Sequence, residues 1–382
     1  MGKINVNSNK KAVERIKEEI SKIDKKENKV YFFVLDTEGY ASGSLAYIYH
    51  LAKFAQDAGY NVAMLYQTEP VAKGQPKNEF VGVESWLGKD YSSIPHYDIQ
   101  DTEVEISASD ILFIPDIFSQ VMNQTKKLPC KRIAIMQNYD YIVAQTPYAA
   151  QWGDYNILEA ISNTEENASM LELIFPYVKT TVIPPFIEKI FGKTNEPKKL
   201  IVNVVSHNPD DVTRLVKPFY WKYPLMKWVT FRDLRGMSKE KFANCLRESF
   251  LTIWIDDSAS FGYSPLEAIQ SGNIVFAKIP DTDKKWMMNK DGKSYNNSCI
   301  WFDSISEMHS KIASIVRGFI TDTIPSKIYE GLEDVKDMYS EDETKTRFIK
   351  YLEDTIAERK LSMEALIHIG EEGTKEENEV KE

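Results

Sequence analysis

The strongest constraint in this chain is a syntax that occurs twice: a short, wholly apolar strand, a polar loop of small residues, a helix, and another apolar strand. The first copy opens with Val30-Tyr31-Phe32-Phe33-Val34-Leu35, a β-branched and aromatic run suited to burial on both faces. A polar loop with Gly39, Ser42 and Gly43 follows, then an apolar helical pattern from Leu45 to Ala58 closed by Gly59, then Asn61–Tyr66 as the next strand. Strand, glycine loop, helix and strand make a right-handed βαβ unit. Further strands are expected at Ile111–Pro115, Arg132–Met136 and Thr180–Ile183, with a helix around 164–174.

The second copy starts after residues 186–199, where Gly192, Pro197 and a lysine pair read as an interdomain linker. Its expected strands are Leu200–Val205, Lys227–Phe231, Phe250–Ile255 and Ile274–Ala277, with helices around 212–222 and over Lys239–Glu248, the latter opened by Ser238. At 382 residues the chain is too long for one ordinary core, and the alternation predicts an α/β fold of two Rossmann-like domains. The expected divisions are an amphipathic helix at 1–28, a first domain at 29–190, a second at 199–335, C-terminal helices at 336–366 packing back on the first domain, and a disordered acidic tail at 367–382. Val13, Ile16, Ile20 and Ile23 put one apolar stripe on the N-terminal helix, which suits packing on the first domain or binding a partner or membrane surface.

Several function classes are disfavoured. No apolar run approaches the length of a membrane span, and the charged N-terminal stretch has no apolar core of a signal peptide. Cys130, Cys245 and Cys299 are far apart and odd in number, which excludes a disulfide scaffold and a four-cysteine zinc site and fits a reducing cytoplasm. The five histidines show no ligand spacing, so no metal is expected. A net charge of −10 argues against a surface coated in nucleic acid but leaves a local basic cleft open.

The chemistry-bearing segment is Phe261-Gly262-Tyr263-Ser264-Pro265-Leu266-Glu267-Ala268-Ile269-Gln270-Ser271-Gly272, directly after a buried strand. Gly262 lets the backbone turn, Ser264 is the expected N-cap, and Pro265 suits the first helical position. The free amides of that helix start form a site for a phosphate, and Glu267, expected in the first turn, can accept two ribose hydroxyl hydrogens. Taken alone, the same residues also describe a plain strand–loop–helix whose glutamate merely complements the helix dipole.

This segment resembles the donor-binding motif of family 4-like retaining glycosyltransferases, approximately E-G-F-G-x-x-x-x-E-A-x-x-x-G. The resemblance implies a GT-B fold, two Rossmann-like domains facing across a cleft, with the nucleotide-sugar held by Gly262, Tyr263, Ser264 and Glu267 of the second. It places Gly39, Ser42 and Gly43 in an acceptor-side loop beneath the donor phosphates. Thr181-Val182-Ile183-Pro184-Pro185-Phe186 resembles the family's stretch before the linker, and helices between 305 and 366 would include a segment crossing back to the first domain. The implied activity is transfer of a sugar from a nucleotide diphosphate donor to a hydroxyl acceptor with retention, needing no metal and no cofactor beyond that co-substrate.

Two departures qualify the match. Ala259 stands where the motif has its first glutamate, and Ser206-His207-Asn208-Pro209-Asp210-Asp211 stands where the family often carries an arginine and a lysine for the diphosphate. Arg214, Lys217, Arg232 and Arg235 are the nearby cations that are candidates to replace them. These departures keep a non-catalytic GT-B protein, binding a nucleotide-sugar or a partner, as an alternative; a DNA-base-modifying transferase is a further one. Asn138 and Tyr139, after a first-domain strand, suit hydroxyl recognition and stacking on an acceptor of unassigned class. Trp221, Trp228, Trp254, Trp286 and Trp301 are expected in core and interdomain packing, and Asp281-Thr282-Asp283 is read as a coincidental match to a metal triplet.

Overall fold

The computed structural model describes residues 6–68, 80–206, 208–256, 261–279 and 284–379. Seven parallel strands form one sheet: β1 (Lys29–Phe33), β2 (Asn61–Tyr66), β3 (His96–Asp98), β4 (Ile111–Pro115), β5 (Lys131–Met136), β6 (Glu159–Ser162) and β7 (Lys179–Val182), in the order β3-β2-β1-β4-β5-β6-β7. Five more form a second: β8 (Lys199–Ser206), β9 (Thr230–Asp233), β10 (Ser249–Ile255), β11 (Ile274–Lys278) and β12 (Cys299–Phe302), in the order β12-β11-β10-β8-β9, again all parallel. The described helices are α1 (Val6–Asp24), α2 (Gly43–Asp57), α3 (Ser119–Gln124), α4 (Tyr139–Gln145), α5 (Glu165–Ile174), α6 (Pro209–Lys222), α7 (Lys239–Glu248), α8 (Tyr263–Gln270), α9 (Ile305–Ile320), α10 (Gly331–Met338) and α11 (Glu341–Glu379).

The apolar runs are continuous because each strand face has its own core. Val30 and Phe32 pack with Leu45, Ile48 and Leu51 of α2, whereas Tyr31 and Phe33 face Leu112, Met122, Met136 and Trp152 on the other side. In the second sheet, Ile253 and Phe276 meet Phe219 and Met308 on one face, and Trp254 and Val275 meet Leu266 and Trp286 on the other.

Four expectations change. The strands β3 and β12 escape the pattern because they are three and four residues long and lie among turn-rich segments. The linker is not an open tether: Phe186, Ile187 and Phe191 are buried, and the Phe191 carbonyl accepts a hydrogen bond from Ser271 Oγ at 2.8 Å. The expected disordered tail is helical as far as Glu379, with Ile367 still buried; α11 runs on through Gly370 and Gly373 with no proline to break it. Trp254 and Trp286 are core residues, their rings edge to face at 5.7 Å, but Trp221 and Trp228 are 76% and 51% exposed.

The N-terminal helix and the C-terminal helix pack on each other and on the first sheet's unit. Glu19 of α1 accepts hydrogen bonds from the Ser109 amide and hydroxyl at 2.9 and 2.6 Å. From the other end of the chain, Phe348 and Leu352 of α11 are buried in the core beneath β1 and α2.

Candidate active site

Open α/β sheets bind ligands at the carboxyl ends of their strands, where the strand order reverses. That point lies between β1 and β4 in the first sheet and between β8 and β10 in the second. After β1, the loop turns through Glu38 and Gly39, both at positive φ (53° and 82°), while Asp36 accepts amide hydrogens from Glu38 at 3.0 Å and Val81 at 2.9 Å. Ser42 then caps α2 by accepting the Leu45 amide at 3.3 Å, and Gly43 is the first helical residue.

After β4 comes Asp116, fully buried, whose carboxylate accepts the amides of Gln137 at 2.7 Å, Asn138 at 2.8 Å and Ile117 at 3.0 Å. Burial pushes its carboxyl up to about 7 despite those three donors. Asp116 therefore braces the loop after β5, where Gln137 also donates to the Ser44 carbonyl at 2.8 Å and Asn138 caps α4 by accepting the Asp140 amide at 3.0 Å. Tyr139 is half-buried against the core. The Tyr141 hydroxyl is pushed up by burial and then by Asp116, Asp256 and Asp140.

In the second sheet's unit, α8 begins at Tyr263 with Gly262 as N-cap, not at Pro265 with Ser264 as the cap. At that N-cap the Trp286 ring fills the space beside Gly262, where a Cβ would stand 2.1 Å from Cη2. From a start at Tyr263, Glu267 falls in the second turn instead of the first. The Tyr263 ring lies against Gly43, so close that a Cβ there would be 2.5 Å from Tyr263 Cδ2. The first turns of α2 and α8, one from each sheet, thus meet directly.

Beside this junction lies a polar cluster. Glu188 accepts a hydrogen bond from Lys239 Nζ at 2.7 Å and stands 3.7 Å from His50 Nε2. Burial opposes its ionisation, but His50 and Lys239 hold it below the usual carboxylate range. The Glu267 carboxyl has no hydrogen-bond partner among the described residues; burial first, then the nearby Glu188, push it up to about 8 against the pull of Lys239. The Tyr263 hydroxyl is buried without a hydrogen-bond partner, and burial followed by Tyr47, Glu267 and Glu188 raises it.

No family model matches the chain. An alpha-1,6-glucosyltransferase of Actinobacillus pleuropneumoniae serotype 7 (strain AP76) is 22% identical over 256 residues, covering 61% of this chain and 72% of that protein. Sucrose-phosphate synthase from Thermosynechococcus elongatus superposes with a TM-score of 0.58 at 11% identity, over 86% of this chain and 99% of that one. A point variant of S. aureus TarM, in complex with fondaparinux, alpha-GlcNAc-glycerol and UDP, gives 0.60 at 10% identity over 85% and 99%. The fold is that of the GT-B glycosyltransferases.

Within this GT-B frame, Gly43 meets Tyr263 of the segment Gly262–Glu267, whereas Ser42 is engaged in capping α2 and Gly39 faces Val81 and Ser85. Arg232 does not join Gly43 and Tyr263, because its guanidinium bonds Glu248 at 3.1 Å, a carboxylate shared with Lys199 at the amino end of β8. Arg214 is exposed on α6 and turned to Asp211 at 3.5 Å, Lys217 is exposed on the same helix, and Arg235 pairs with Asp233. The cation that shares Glu267's surroundings is Lys239, which sequence reasoning missed together with Glu188, His50 and Asp116. A signal for Lys239 existed: it follows the capping Ser238 and opens the helix after β9, a position at the carboxyl edge. Ala259, His207, Asp257 and Asp281–Asp283 lie outside the described residues, and among the described ones no three metal-ligating side chains converge.

Proposed function

We propose that this chain is a glycosyltransferase that moves a sugar from a nucleotide diphosphate donor to a hydroxyl acceptor, with retention and without a metal ion. The observation that carries this reading is the junction of Tyr263 with Gly43, which sets the start of α8 opposite the start of α2 with the unpartnered Glu267 beside it. Amides at the start of α8 carry partial positive charge and would stabilise the leaving diphosphate. Glu267 would accept the ribose hydroxyls, in company with Lys239 in place of the missing basic pair. The loop Gln137–Tyr139, braced by Asp116, would face the acceptor. The UDP and alpha-GlcNAc-glycerol held by TarM and the glucosyltransferase activity of the Actinobacillus protein support a hexose carried on a uridine nucleotide.

Three buried, unpaired cysteines suit a reducing, cytoplasmic setting, and no described helix is long and apolar enough to cross a membrane. The absence of the first motif glutamate, Ala259 in its place, favours a second reading in which the protein binds donor without turnover. Incubation with a panel of nucleotide-sugars and hydroxyl acceptors separates the two. The expected outcome is nucleoside diphosphate release that persists in EDTA, with the donor's anomeric configuration kept in the product by NMR. Donor binding with neither transfer nor slow hydrolysis would establish the second reading. Loss of activity in EDTA, reversed by Mg or Mn, would overturn the metal-free reading and return Asp281 and Asp283 to consideration.

A further inference from the structure

The second sheet's unit carries an exposed apolar tip that the transferase reading does not use. Trp221 at the end of α6, Leu225 in the turn that follows, and Trp228 before β9 are 76%, 89% and 51% exposed. The tip is built, not loose. Met226 and Val229 anchor it in the core, the Trp228 indole nitrogen donates to the Leu225 carbonyl at 2.7 Å, and the Tyr220 hydroxyl donates to the Val229 carbonyl at 2.7 Å. Burying two anchors while holding Leu225 and both indoles outward is the opposite of what a solvated turn needs.

The chain segment that forms this tip carries charge of one sign. Lys217, Lys222 and Lys227 are all exposed, and none forms an ion pair with a described residue. Between Asp211 and Asp233 there is no acidic residue, in a chain whose net charge is −10. Lys217 and Trp221 share a face of α6 at a four-residue step, and Lys222 lies over the Tyr223 ring at 5.5 Å. The tip sits at the amino end of β9, an edge strand, and so at the end of the sheet away from the carboxyl-edge cleft.

We propose that this tip docks the protein onto an anionic lipid surface. Indole rings prefer the headgroup level of a bilayer, a protruding leucine can enter the acyl boundary, and lysines close to the surface are attracted by anionic lipid. A convex tip fits a deformable bilayer, whereas a protein partner would have to supply a matching hollow. A second copy of the chain would bring the same lysines together and repel. Docked in this way, the cleft stays open to water-soluble donor. The inference does not depend on the transferase reading.

The test is co-sedimentation of the full chain with vesicles of phosphatidylcholine mixed with phosphatidylglycerol, and with phosphatidylcholine alone. Binding to the mixed vesicles is expected, with much weaker binding to the neutral ones. Lys222→Gln and Lys227→Gln should each weaken it about fivefold, and Leu225→Ser about tenfold or more. All three residues are exposed, so melting curves of the variants should match the parent's. Equal binding to both vesicle types, no binding to either, or binding unmoved by these substitutions would overturn the proposal. So would a dimer in sedimentation velocity that Leu225→Ser abolishes, which would assign the tip to self-association.

Discussion

Replacing Glu267 by glutamine should change donor affinity in a pH-dependent way. With its carboxyl near 8, the wild-type side chain is a neutral acid at about pH 6 and a carboxylate at about pH 9. Glutamine imitates the neutral acid, so the two proteins should bind a nucleoside diphosphate nearly alike on the acid side. Above about pH 8 only the wild type offers charged acceptors to the ribose, each bond worth roughly 1.5–3 kcal/mol, so the variant should fall behind by about ten- to a hundredfold. Calorimetry read as the ratio of the two affinities at each pH cancels the ligand's own titration. A ratio that stays flat would remove Glu267 from the ribose site. Stability gives the reverse trend. The folded state holds this acid neutral, a contribution present in full below about 4.5, run down as pH rises, and gone past about 8. Glu267→Gln should therefore flatten the melting profile across that window, leaving the same-signed slope from Asp116 below about 7.

A methyl group at Gly262 should be among the most damaging small changes in the chain. At φ −89° the residue needs no special backbone freedom, so the conflict is purely steric: the added carbon would stand 2.1, 2.6 and 2.7 Å from three atoms of the Trp286 ring. Overpacking of this kind costs about 1–3 kcal/mol. Function should suffer more than stability, because the start of α8 must move and a shift of about 1 Å in a binding constellation can cost about a hundredfold. Gly262→Ala should thus lower the melting temperature by several degrees and remove measurable donor binding. Trimming the opposing ring, Trp286→Phe, should restore part of both losses in the double variant. Additive losses would mean that the ring is not what the added carbon meets.

The sequence made the sheets legible because their strands are buried on both faces, so β1 and β10 needed only composition to be recognised, although β1 stops at Phe33, short of the exposed Leu35. What it could not disclose was decided by residues far away in the chain. Ser264 and Pro265 are good opening residues for a helix, yet the helix starts two positions earlier, with Trp286 packed on its cap at Gly262. Arg232 looks available until Glu248 is seen to hold it, and Lys239 looks ordinary until Glu188, from the segment between the sheets, arrives beside it. Glu267 itself was found by its motif, but its raised carboxyl comes from burial first and then from that same Glu188, neither visible locally. Trp221 and Trp228 misled in the other direction, since a tryptophan is read as core by default and nothing local marks these as outward.

The chain passes between the two sheets twice, once through Ile187 and again near Tyr339, and the two passages are joined by a hydrogen bond from the Ile187 amide to the Tyr339 carbonyl at 3.1 Å. A single crossing would act as a universal joint. Two crossings fastened side by side oppose twist between the halves in a way that one strand of chain cannot. Tyr339 also donates its hydroxyl to the Trp286 carbonyl at 3.1 Å, which ties this pair to the residue backing Gly262. Through Trp286 the tie between the two passages thus reaches Gly262, and with it the helix start whose Tyr263 ring lies on Gly43.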